Sequence, residues 1–161
     1  MPHDRVIVRR DDLTGEASRS LIELHLRDMH AHSPPGAVFA LDLSGLQRPD
    51  VEVWSAWIGE RIAGVGALRK LGDAQGEIKS MRTHPECVRQ GVADAILTTI
   101  VERARELGLR QLSLETGSGA AFEPAIAFYR ARGFAPGAAF GDYTASDFNQ
   151  FFHRDLAADR A

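Results

Sequence analysis

The sequence predicts an α/β fold with a mixed central sheet. Three observations lead there. Strand-like runs recur between residues 51 and 83, separated by short Gly-containing turns. An amphipathic helical pattern over 92–107 passes at once into the alternating run Leu112-Ser113-Leu114-Glu115. A strand, helix, strand order with short connections favours a parallel, right-handed crossover, whereas the tight turns before it favour antiparallel pairing.

Residues 5–10 (Arg-Val-Ile-Val-Arg-Arg) are β-branched between charged ends and read as the opening strand. From Thr14 to about His30 the leucines and Met29 recur at helical spacing, with Thr14 as the expected N-cap and Pro34-Pro35 as the stop. Residues 51–58 and 62–68 are strands joined through Gly59-Glu60-Arg61, a hairpin length. A third run, Glu77 to Thr83, completes an antiparallel meander. In the next helix, positions 93, 96, 97, 100, 101, 104 and 107 form one apolar face, and Gly108 supplies a left-handed C-terminal cap. Pro124 suits the first turn of a further helix through Phe128 and Tyr129, which ends at Gly133 with Phe134 packing back on it. The tail alternates around 138–144 and 150–155, as in a closing hairpin.

The chain of 161 residues is 44% hydrophobic and 25% charged, the balance of one ordinary globular domain over 1–161. A net charge of -3, with Lys and Arg spread evenly, offers no basic stripe for nucleic acid. No run of ~18 apolar residues could span a bilayer. The opening residues lack the apolar core of a secretion signal and the single cysteine, Cys87, can form no internal disulfide, so a cytoplasmic location is expected.

Arg89-Gln90-Gly91-Val92-Ala93 lies between a strand and the amphipathic helix, where backbone N–H groups have no intrahelical partner. Such a turn is an anion site: Gly91 lets the main chain approach a phosphate, Ala93 leaves the first turn uncrowded, and Arg89 can add a charged contact. A structural turn is the alternative reading of the same residues. The Gly-x-Gly-x-x-Gly and Gly-Lys-Ser/Thr patterns of other nucleotide sites are absent.

Taken together and in order, Glu77-Ile-Lys-Ser-Met-Arg-Thr-His-Pro-Glu, the Gly91-Val-Ala turn, Leu114-Glu-Thr-Gly and Ala127-Phe-Tyr-Arg-Ala-Arg-Gly-Phe134 resemble the GNAT superfamily of N-acetyltransferases. Asp28-Met-His-Ala-His-Ser-Pro-Pro is similar to a bacterial, largely uncharacterised subgroup of it. The resemblance implies a GNAT-like fold: a sheet of about six or seven strands with helices on both faces, whose fourth and fifth strands splay apart around the pantetheine arm of acetyl-CoA. The arm would pair with the backbone of Met81, Arg82 and Thr83. The pyrophosphate would rest on the amides of Arg89, Gln90, Gly91, Val92, Ala93 and Asp94, with Val88 beside them in the cofactor site. Two positions depart from the family pattern: Val88 stands where Arg or Gln is usual, and Phe122 where Asn is frequent, which removes one expected cofactor hydrogen bond.

An alkylammonium cannot attack a thioester, so an amine with a pKa near ~10 must first lose a proton. By the resemblance Glu77 is the expected base, acting through a water, with Glu115 as rival base or as a site for a cationic substrate. Tyr129 matches the acid that protonates the departing thiolate, and the Met81 N–H matches the oxyanion donor. The alternative for each is a structural role: Glu77 as a solvent-facing strand residue, Tyr129 as a packed helix residue. The acceptor is expected to be a primary amine of a small molecule or peptide, met by His30, His32, Ser33, Glu115 and Tyr143. His25, His30 and His32 lack the i, i+4 spacing of a zinc-hydrolase helix and no Cys is near, so no metal is expected. Cys87 has no His-Asp pair in sequence to activate it. A non-catalytic acyl-CoA sensor on the same fold is the competing function. The protein is expected to be a monomer or homodimer, and Trp54 and Trp57 face opposite sides of one strand.

Overall fold

A computed structural model describes residues 5–157. Seven strands form one sheet in the order β1-β2-β3-β4-β5-β7-β6. They are β1 (Val6–Arg10), β2 (Val51–Ile58), β3 (Arg61–Gly72), β4 (Gln75–Thr83), β5 (Gln111–Thr116), β6 (Ala135–Pro136) and β7 (Gln150–Asp155). The helices are α1 (Glu16–His32), α2 (Leu43–Leu46), α3 (Val92–Glu106) and α4 (Glu123–Arg130). Every pairing is antiparallel except β4 with β5, which α3 connects as a parallel crossover.

Alternation along the strands feeds two cores. Val53, Val65 and Ala67 meet Leu21, Ile22 and Leu46 of α1 and α2 on one face. Ala63, Leu68, Ile78, Leu112 and Leu114 meet Ile96, Leu97 and Ile100 of α3 and Ile126 and Tyr129 of α4 on the other. Each fully buried aliphatic side chain contributes about 1.5–3 kcal/mol relative to exposure. Trp54 belongs to the second core and Trp57 packs beside the first, on the opposite faces expected. A Cβ at Gly66 would lie 2.6 Å from both Ile96 Cγ2 and Met81 Sδ, so glycine there lets α3 lie directly on β3.

Two expectations need correction. Thr14 does not cap α1, because its hydroxyl donates to Asp12 (2.7 Å) and the helix begins at Glu16. Asp11 organises this corner instead, accepting from the Leu13 amide (2.7 Å) and the Ser18 hydroxyl (2.6 Å). The closing hairpin does not use 138–144. On this side of β7 only Ala135 and Pro136 are in register with it; the Gly137 amide adds one bond to the Phe151 carbonyl (3.0 Å), and beyond it the chain leaves the sheet. The aromatic residues in that segment stack on one another: Phe140 lies 5.0 Å from Tyr143 and 5.8 Å from Phe151 between ring centroids. A bridge from Ser113 through His153 to the Ala138 carbonyl, 2.7 Å at each step, anchors the departing loop.

Candidate active site

The site is a gap in the sheet. β4 and β5 are registered only at Gln75 with Gln111, Gly76 with Leu112, and Glu77 with Ser113. Beyond that they separate. The cause lies within β4, where Val65 pairs with Arg82 and Ala67 with Lys79, so that Ser80 and Met81 both face Gly66. Ser80 takes a left-handed φ of 58°, a bulge that bends the strand away from its neighbour. The Ser80 hydroxyl is buried and finds no partner among the described residues.

On the α3–α4 side the gap opens into a groove of about 680 Å³. Its walls include Met81, Arg82 and Thr83 at the free edge of β4, Val88 to Asp94 apart from Gln90, and Phe122, Ala125, Phe128, Tyr129 and Arg132 around α4. Arg89 (φ 63°) and Gly91 (φ 79°) are left-handed, and Gly91 is followed at once by the right-handed first turn of α3. This change of hand turns successive amides to one concave side. The first intrahelical bond runs from the Ala95 amide to the Gly91 carbonyl (3.0 Å), leaving the amides of Val92, Ala93 and Asp94 at the helix start directed at the groove mouth.

On the α1 side the gap leads into a smaller cavity of about 130 Å³. Glu77 and Lys79, alternate residues of β4, share this face with Glu115 of β5. Glu77 is 1% exposed. Its carboxylate accepts from Lys79 Nζ at 3.1 Å and from the Tyr143 hydroxyl, and Lys79 Nζ also donates to the Tyr143 oxygen at 2.8 Å. Burial, and then the Glu77 charge, push the Tyr143 phenol far above its ordinary range, so it remains a donor. Glu115 accepts from Asn149 Nδ2 at 2.5 Å, and burial raises its carboxyl above the usual range.

His25, Met29, Met81, Phe122, Ala125 and Tyr129 line both cavities, so the groove and the smaller cavity meet at these side chains. Burial alone raises the Tyr129 phenol, which therefore holds its proton at neutral pH. Arg82 Nε donates to His25 Nδ1 at 3.0 Å while its NH1 pairs with Asp28 at 3.1 Å. Burial, then the Arg82 charge, lower His25 to about 4. The ring is thus neutral, with Nδ1 accepting and Nε2 carrying the hydrogen.

Known proteins match this architecture. The model of the acetyltransferase (GNAT) family matches residues 18–134. The chain belongs to that family. It is 47% identical over 136 residues to the uncharacterized N-acetyltransferase YsnE of Bacillus subtilis, covering 84% of this chain and 90% of that protein. It is 43% identical over 149 residues to the uncharacterized N-acetyltransferase YedL of Escherichia coli, covering 92% and 94%. A Bacillus subtilis acetyltransferase solved in complex with CoA shares the fold, with a TM-score of 0.66 at 18% identity over 94% of this chain and 99% of that one. Family membership makes the protein an acyltransferase, with acyl transfer from acyl-CoA as its class of reaction.

Within this GNAT protein the residues singled out in sequence separate into groups. Met81, Arg82, Thr83, Val88, Arg89, Gly91, Val92, Ala93, Asp94, Phe122 and Tyr129 all line the groove, and exposed Gln90 stands between the two left-handed residues. The Asp94 carboxylate is held by Arg132, with NH2 to Oδ2 at 2.6 Å, so the Asp94 amide rather than its side chain is what the turn can offer. Phe122 packs against Phe148 at 5.6 Å. Glu77, Glu115 and Ser33 line the smaller cavity, and Tyr143 reaches it through Glu77 and Lys79. His30 and His32 are exposed on the last turn of α1 and line neither cavity. Cys87 is a buried free thiol in the α3-face core. Sequence reasoning passed over Lys79, Arg132, Phe39 and Phe148, and it grouped His25 with His30 and His32 although His25 alone of the three lines the cavities. For Lys79 the signal was available, because it lies two residues from Glu77 and therefore on the same face of β4.

Proposed function

We propose that the protein is an acetyl-CoA-dependent N-acetyltransferase acting on a primary amine of a small molecule or peptide by direct attack. One observation carries this reading: the sheet is open between β4 and β5, and the same side chains line the phosphate-side groove and the carboxylate-bearing cavity. Acetyl-CoA is a substrate that fits the groove. The amides at Gly91 to Asp94 suit its diphosphate, and the unpaired edge of β4 at Met81 to Thr83 suits its amide-bearing arm.

In the proposed reaction Glu77 takes a proton from the acceptor ammonium, directly or through a water, and the freed amine attacks the thioester carbonyl carbon. The C–N bond forms as the carbonyl becomes an oxyanion. The Met81 N–H, at the bulge, is the proposed donor to that oxygen, a contribution of roughly 3 kcal/mol for such groups. Collapse breaks the C–S bond as Tyr129, which keeps its phenolic proton, gives it to the thiolate and takes in return the second proton that the attacking nitrogen sheds in becoming an amide. Deprotonation must precede attack, and a carboxylate buried beside the cavity is the group suited to accept that proton. Phe122 makes the wall of the groove apolar where a hydrogen-bonding side chain would otherwise meet the arm.

Release of free thiol from acetyl-CoA, followed over a panel of amines and peptides, tests the proposal. Tyr129→Phe should lower turnover by 10²–10⁴-fold, the range of a lost general acid, while CoA affinity stays near wild type. Wild-type turnover in that variant across pH 6–9 would remove Tyr129 from the mechanism.

A further inference from the structure

The smaller cavity restricts what can enter it. Its volume, about 130 Å³, is close to the ~150 Å³ of an engineered protein cavity that binds benzene. Much of its wall is apolar: Met29, Val38, Phe39, Leu114, Phe122 and Phe148. Three charged side chains line it, Glu77, Lys79 and Glu115. Lys79 and Glu77 neutralise one another at 3.1 Å, and both are buried. Among the described residues no cation forms an ion pair with Glu115; Lys79, engaged by Glu77, acts on it only at longer range. The Glu115 oxygen Oε2 receives the neutral Asn149 amide, which leaves one surplus negative charge. Arg82 is turned away, held by Asp28 and His25, and His25 is neutral.

We propose that the acyl acceptor is a compact primary monoamine, with an apolar body no larger than about a benzene ring and no carboxylate, whose ammonium is received beside Glu115. This rests on the N-acetyltransferase reading above and narrows it. An amino acid would bring its carboxylate next to the reacting amine, where Lys79 is already engaged and Glu115 repels it. A diamine would leave its second ammonium against Phe39, Phe122 or Phe148 without a counter-charge. A monoamine meets both constraints: its charge pairs with Glu115 and its body replaces water along the aromatic wall.

Matched pairs that differ only in the carboxylate test the proposal: isoamylamine against leucine, and benzylamine against phenylglycine, with 1,5-diaminopentane, leucinamide and a short peptide alongside. Thiol release from acetyl-CoA and the mass of the acetylated product are the readouts. Each monoamine should exceed its carboxylated partner at least 100-fold in kcat/KM. Glu115→Gln should shrink that ratio about tenfold or more with CoA affinity unchanged. Phe148→Ala should extend the accepted bodies to a naphthylmethyl group while keeping the preference against carboxylates. Equal or better use of leucine or the diamine, or a ratio indifferent to Glu115→Gln in a folded variant, overturns the proposal and leaves the transferase reading standing. Binding of CoA with no acylation of any amine or peptide in the panel overturns both.

Discussion

Glu77→Gln separates two roles that the geometry combines. In the folded protein the Glu77 carboxylate is buried 3.1 Å from the buried Lys79 ammonium. Removing one member of a buried ion pair costs about 3–5 kcal/mol, because the other charge is left uncompensated. The amide can still accept from Lys79 and from Tyr143, so the lower end, about 3 kcal/mol, is expected. At roughly 2–4 °C per kcal/mol for a chain of this size, Tm should fall by about 6–12 °C. Turnover should fall by 10²–10⁴-fold if Glu77 is the base. The double variant Glu77→Gln/Lys79→Met removes both charges, and such replacements are commonly near neutral for stability. Tm should therefore recover in the double variant while thiol release does not. Scanning calorimetry and the thiol assay, run on wild type, single and double variants, decide the matter. A double variant with recovered Tm and wild-type kcat/KM would show that the carboxylate serves the fold and not the proton transfer.

Three further outcomes follow from packing and titration. Gly66→Ala places a methyl 2.6 Å from Ile96 Cγ2 and Met81 Sδ, so it should cost about 1–3 kcal/mol in denaturant unfolding and weaken acyl-CoA binding by displacing the start of α3. The Glu115 carboxyl is raised by burial, so its charged form opposes folding: the stability it leaves intact below the unfolded pKa of 4.5 is lost as pH rises through the folded value. Glu115→Gln should accordingly raise Tm at pH 7 and leave it unchanged at pH 3.5. His25 is lowered from 6.5 to about 4, so the unfolded chain takes up this proton first and stability falls as pH drops across that window; an NMR titration should find its imidazole neutral at pH 5.5.

Local and periodic features were legible in the sequence. The meander, the α3 crossover with Gly108 beyond its end, the Gly91 turn and Phe134 folding back on Tyr129 each follow from a turn residue or a repeat of 2 or 3.6. His25 was also within reach, because Ser18, Leu21, Ile22, His25 and Met29 form the inward stripe of α1, whereas His30 and His32 fall off it. The segment 138–149 was not legible. Its alternation imitates a strand, yet Phe140 and Tyr143 are held by ring stacking and by a hydrogen bond to a carboxylate distant in sequence. Such contacts have no period. The Lys79 to Glu77 pair could be placed on one face by counting, but its burial depends on that same loop closing over it.

An open gap between two strands is unfavourable on its own, since it strands backbone donors and acceptors that a continued ladder would satisfy. Here side chains from four separate segments keep it open. The bulge at Ser80 bends β4, the Phe148 ring occupies the space where a Gly117 side chain would stand, and His25 and Met29 of α1 face Ala125 and Tyr129 of α4 across the opening. Closing the ladder would require expelling all of these, including well-buried aromatic surface worth several kcal/mol. These contacts favour the open gap over a continued ladder. In the proposed reaction a thioester entering from the α3 side and an amine entering from the α1 side would meet at this seam, beside Tyr129, whose phenol lines both cavities.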